Sequence, residues 1–128
     1  VGGEKVCWEN RSHFFRAAAE AMQCYLIDNA RKKSRQKRGG NWRRVDLQNL
    51  DLATQADPDT LLIVQEALER LTHNDATKAE LVKLRFFAGL TNAEAARMLG
   101  LSESTIKRHW DFSRAWLLGE IQNIVGES

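Results

Sequence analysis

The feature that most constrains this chain is a glycine between two helical patterns. In LTNAEAARMLGLSESTIKRHW (residues 90–110), Gly100 separates segments that both read as helix. Thr91 and Glu94 have the spacing of a capping box, in which the hydroxyl takes an orphan amide and the carboxylate reaches back. The helix they open runs only to Leu99, and Gly100 supplies the left-handed backbone of a sharp turn. Ser102 then caps a second helix, from Glu103 to about Ile124. Ala96 is small where the two helices must approach, and Ile106 plugs the space between them. A short helix, a tight glycine turn and a longer helix form a helix-turn-helix, which presents its second helix to the major groove of DNA.

Projection at about 100° per residue separates the faces of that second helix. Ile106, Trp110, Leu117, Ile121 and Ile124 share one arc and should pack on the preceding helices. Ser104, Arg108 and Asp111 point the opposite way, flanked by Lys107. Arg and Lys donate to guanine O6 and N7, and small hydroxyls meet phosphates or bases. Phe112 and Trp116 form a second apolar pair at i, i+4. The reading favours their widening the core contact; a docking patch for a protein partner is the alternative.

Charge segregation points the same way. The net charge is only +2, yet residues 31–44 hold eight basic residues (Arg31, Lys32, Lys33, Arg35, Lys37, Arg38, Arg43, Arg44) and no acidic one. The 11 remaining basic residues are outnumbered by 17 acidic ones. Such a run suits a polyanion, or else is simply a solvated helix end.

Upstream, residues 12–38 contain no Gly or Pro and are rich in helix formers. Phe15, Ala18, Met22, Leu26 and Ala30 recur at three- and four-residue steps as an apolar stripe, and Gly39-Gly40 should end the helix. The stripe must be covered by the C-terminal part, by helices preceding Val1, or by a second copy in a homodimer. Residues 1–10 carry few periodic signals, and a start on Val1 rather than Met suggests a fragment. Residues 41–58 are polar, aperiodic and hold the only proline, which reads as a linker. Asp59 can cap a helix over 60–71 with Leu61, Val64, Leu68 and Leu71 on one face. Another, over 76–88, carries Ala79, Val82, Phe86 and Phe87 and closes at Gly89. No segment alternates with period two, so the expected fold is all-α.

Other functions find little support. Of the two cysteines, Cys24 reads as a small core residue, and neither has a Cys or His neighbour at metal-ligand spacing. No nucleophile-base pair is visible, so an enzyme, a cofactor and a bound metal are not expected. Nothing resembles a signal peptide or a membrane span of about 18 apolar residues, which suggests an intracellular protein without membrane contact.

The blocks ALERL (67–71), AELVKLRFFAGLTNAEAARMLGLSESTIKR (79–108) and WDFSRAWL (110–117) resemble region 4 of the sigma-70 superfamily, in its extracytoplasmic-function (ECF) class. WENRSHFFRAAAEAMQCYLIDNARKKSRQKRGG (8–40) resembles the end of region 2 of the same class. The resemblance implies a bacterial transcription initiator, cytoplasmic and nucleoid-associated, that binds core RNA polymerase and promoter DNA and can be held by an anti-sigma factor. It implies the end of region 2 over 1–40, a linker over 41–58 and region 4 over 59–128. Region 4 would read the −35 element through Ser102, Ser104, Thr105, Lys107 and Arg108. Region 2 would meet the −10 element around Asn10, Arg11 and His13, with Arg31, Lys32, Arg35 and Arg38 on phosphates. Phe112 and Trp116 become candidates for polymerase docking. Two features depart from the class: its first region 2 helices have no counterpart before Val1, and His109 and Asp111 stand where an acid and a base are expected. A stand-alone helix-turn-helix regulator and a sigma-like fragment that sequesters an anti-sigma factor are the alternatives.

Overall fold

A computed structural model describes residues 2–36 and 52–127, with side chains at 10–33 and 52–126. Every regular element among them is helical: α1 (Gly2–Gln36), a 3₁₀ turn (Ala53–Gln55), α2 (Pro58–Asn74), α3 (Ala76–Phe86), α4 (Asn92–Leu99) and α5 (Glu103–Glu127). The all-α expectation therefore holds.

Local chemistry sets the boundaries. Asp57, not Asp59, caps α2: its Oδ1 accepts from Thr60 N at 2.7 Å. Pro58 follows at the first helical position, where its fixed φ suits a helix and its missing N–H costs nothing. Asp75 joins α2 to α3 by itself. Its amide donates to Leu71 O at 2.7 Å, and its carboxylate accepts from Lys78 N at 3.2 Å and Lys78 Nζ at 2.7 Å. Those bonds to Lys78 hold the Asp75 carboxyl below its usual range. α3 stops at Phe86, two residues short of the expected end, and Gly89 turns the chain with φ +73°.

The core lies among α2, α3 and the two later helices. Leu68, Leu71, Leu81, Leu84 and Ile106 are all under 2 % exposed. Each such side chain contributes about 1.5–3 kcal/mol relative to an exposed one. Exposed ion pairs contribute only about 0–1 kcal/mol each, so apolar packing holds the bundle together.

α1 lies against α2 and α3, which fulfils one of the ways its apolar stripe could be covered. The helix starts at Gly2, well before Ser12, and continues through residues that carried no periodic signal. Its buried line is Ala19, Ile27 and Ala30, with Phe15, Met22 and Leu26 packed partly against the core beside it. Cys24 is exposed, which corrects its expected place in the core. At about 100° per residue it lies roughly a quarter turn beyond the buried line. Two polar contacts edge this seam, Arg16 Nε to Glu80 Oε1 at 2.6 Å and Gln23 Nε2 to Gln65 Oε1 at 2.7 Å. The Gly39-Gly40 helix end and residues 41–51 of the stretch read as a linker lie outside the described residues. Its last part is packed: Ala53 is buried and the 3₁₀ turn leads into the Asp57 cap.

Candidate nucleic-acid interface

α4 and α5 make the helix-turn-helix. Both arms of the capping box are present, with Glu94 N donating to Thr91 Oγ1 at 3.1 Å and Thr91 N to Glu94 Oε1 at 2.9 Å. Hydrogen bonding of the Glu94 carboxylate to the backbone and side chain of Thr91 lowers its pKa, and the nearby Arg11 guanidinium adds to the effect. Gly100 takes φ +68° and ψ 32°, while the amides of Gly100 and Leu101 both return to Ala96 O. Ala96, 6 % exposed, thus serves the turn through its carbonyl and the close helix approach through its small side chain.

Ser102 opens α5, its Oγ accepting from Thr105 N at 3.2 Å. Ile106, Trp110, Leu117, Ile121 and Ile124 are all buried against the preceding helices. Ser113, 0 % exposed, joins them; its hydroxyl donates to His109 O at 2.6 Å, which lets a polar residue enter the core. The helical projection had no signal for this, because serine reads as polar unless its hydroxyl is returned to the backbone.

The structure gathers the five expected −35 residues at the first two turns of α5. Ser102, Ser104, Lys107 and Arg108 are exposed, and Thr105 is half-buried. Their hydroxyls are linked, with Ser102 Oγ 3.2 Å from Ser104 Oγ and donating to Thr105 Oγ1 at 2.9 Å. Arg108 Nη2 donates to Thr105 Oγ1 at 3.3 Å. Thr105 therefore supports the guanidinium from the preceding turn, leaving its remaining N–H groups for an outside acceptor. Asp111 is exposed on the same side.

The expected region 2 residues are spread along α1. Asn10, Arg11 and His13 are exposed near its start, and Arg11 comes close enough to Glu94 to act on its charge. Arg31 and Lys32 are exposed about 30 Å further along the axis at 1.5 Å per residue. Arg31 Nη1 lies 3.8 Å from Asp28 Oδ1. Of Arg35 only the backbone is described, in α1, and Arg38 lies outside the described residues. The α5 aromatic pair divides: Trp116 packs against the core, whereas Phe112 is 51 % exposed with Lys78 Nζ 4.9 Å from its ring centroid. Only Trp116 thus widens the core contact.

A further group escaped the sequence reading. Arg85, in the last turn of α3, donates through Nη1 to Asn92 Oδ1 at 2.7 Å. Its guanidinium carbon lies 4.6 Å from the centroid of the Trp110 ring. No periodicity joins residues 85, 92 and 110; only the fold brings them together.

α4, the turn at Gly100 and α5 together have helix-turn-helix geometry, with the start of the second helix exposed. A family model described as ECF sigma factor matches residues 1–123, and the chain belongs to that family. The family acts in transcription initiation, with RNA polymerase and promoter DNA as its partners. No curated protein and no solved structure gave a match. Among the described residues, no helix is long and apolar enough to cross a membrane.

Proposed function

We propose that this sigma factor directs bacterial core RNA polymerase to promoters by reading the −35 element with the start of α5. The observation that carries this reading is the exposed set Ser104, Lys107 and Arg108 on a helix fixed behind by buried Ile106 and Trp110. Arg108, supported by Thr105, is the base reader, and its guanidinium fits a guanine edge. Lys107, Ser102 and Ser104 take phosphates or neighbouring bases, which sets the register of the helix on the duplex. The Asp111 carboxylate repels phosphate on that side, which lowers −35 affinity or alters its base preference.

The remaining assignments follow the family. Residues 1–40 serve as the end of region 2, 41–58 as a linker and 59–128 as region 4. Asn10, Arg11 and His13 face the −10 element, and Arg31, Lys32, Arg35 and Arg38 meet phosphates. Of the pair Phe112 and Trp116, Phe112 is the polymerase-facing residue, which its exposed ring supports, while Trp116 packs on the core behind it.

Enrichment of a randomised duplex pool by the chain with core polymerase tests the −35 assignment. Arg108→Ala should weaken the enriched site by about 1–3 kcal/mol and relax preference at one position. An equal loss on every sequence would reduce Arg108 to a phosphate contact.

A further inference from the structure

A recognition helix discriminates between bases only if its angle to the rest of the domain is fixed. Apolar packing holds α5 on the bundle, but hydrophobic attraction is non-directional and tolerates small rotations. The turn at Gly100 restrains only one end. Further back, Arg70 Nη1 of α2 donates to Glu120 Oε2 of α5 at 3.0 Å, and nearer the reading end Arg85 is placed to supply a second directional restraint.

Arg85 reaches two other elements from the last turn of α3. Through Nη1 it donates to Asn92 Oδ1 at 2.7 Å, at the first residue of α4, and the same nitrogen lies 3.5 Å from Leu90 O in the intervening turn. Its planar guanidinium also lies over Trp110 of α5, 4.6 Å from the ring centroid. Trp110 is 7 % exposed and shares α5 with Arg108 two residues earlier, so a rotation of α5 that moves this ring moves Arg108 as well. Arg114, one turn later, places its guanidinium carbon 5.9 Å from the same ring.

We infer that Arg85 is a positioning residue for DNA recognition: it clamps α3, the start of α4 and Trp110 of α5 together, and so sets the angle at which Arg108 meets a base. This rests on the reading of α5 as the DNA-reading helix. The clamp requires an arginine. Its flat fork holds the Asn92 oxygen in a fixed direction while its face lies on an aromatic ring, whereas lysine offers a point charge on a flexible stem.

The test uses the full chain and the variants Arg85→Met, Arg85→Lys and Asn92→Ala. Met keeps an apolar stem for Trp110 and removes the hydrogen bond. Residual dipolar couplings, measured without DNA, report the angle between α3 and α5. With core polymerase present, binding is then compared on the duplex enriched by the unmodified chain with core polymerase and on a random-sequence duplex of equal length. Each variant should keep its helix content while the α3–α5 angle moves by roughly 10° or more, the scale on which site geometry fails. Affinity for the enriched duplex should drop about tenfold or more, as misplaced recognition groups do, with random-duplex affinity within about twofold. Asn92→Ala should add nothing to Arg85→Met, because both break the same bond.

An unchanged angle overturns the clamp, as does an equal loss on both duplexes, which marks a purely structural residue. Failure of the unmodified chain with core polymerase to enrich any sequence would reject the DNA reading, while the couplings still decide whether Arg85 sets the angle. If Arg85→Met does not fold, Arg85→Lys and Asn92→Ala carry the same comparison.

Discussion

A Cβ built on Gly100 would meet no atom within 4 Å, yet its φ of +68° lies where side-chain-bearing residues are strained. Space and backbone conformation are thus separated at this position. Gly100→Ala should lower stability by about 1–2 kcal/mol through conformation alone, measured by urea unfolding. A loss below about 0.3 kcal/mol would show that the turn relaxes into another backbone state. Gly100 was legible in the sequence because the glycine stands next to the pattern it interrupts. Cys24 was not, because its exposure depends on which side of α1 meets α2 and α3, and an apolar neighbourhood in sequence does not fix that. Arg85 was less legible still: its partners lie 7 and 25 residues away in sequence.

At the scale of elements, the clearest signals were the caps, whose donors and acceptors lie three residues apart. Thr91 with Glu94 and Ser102 with Thr105 sit where their spacing put them. The start of α2 was misplaced by two residues because Asp57 and Asp59 are both capable caps. Pro58 decides between them, since it is tolerated in the first turn and starts the helix behind Asp57. The Glu94 carboxyl, held low by its bonds to Thr91, carries a pH dependence. Its folded-state pKa lies below the unfolded one, so its stabilisation is complete above the unfolded value and is lost as pH falls through the folded value. Denaturant unfolding of Glu94→Gln should therefore show a deficit at neutral pH that closes as the acid range is entered. A deficit constant from neutral to acid pH would show that the charge of Glu94 contributes nothing to the cap.

For the whole molecule, the arrangement of α1 on α2 and α3 joins the N-terminal helix and the helix-turn-helix in one bundle. The sequence supplied the need for a covered stripe but not the covering surface, because amphipathic periodicity describes one helix and never its partner. The centre of the buried face is Ala19, Ile27 and Ala30, where small residues let the helices approach. Packing should dominate the seam. Ile27→Ala should cost about 2–4 kcal/mol in urea unfolding. Arg16→Ala should cost at most about 1 kcal/mol, because the Arg16 and Glu80 side chains are 49 % and 38 % exposed. The reverse ranking would mean that the ion pair, not the apolar line, holds α1 in place. The central claim, that the chain is a promoter-directing subunit, is tested most directly by in vitro transcription from a library of bacterial promoter fragments. Core polymerase would be present throughout, with the full chain added or withheld. The account predicts discrete transcription start sites that appear only when chain and core are together, and that weaken with Arg108→Ala. Sequence-specific DNA binding that needs no polymerase, with no new start sites when core is present, would contradict it and identify a stand-alone regulator.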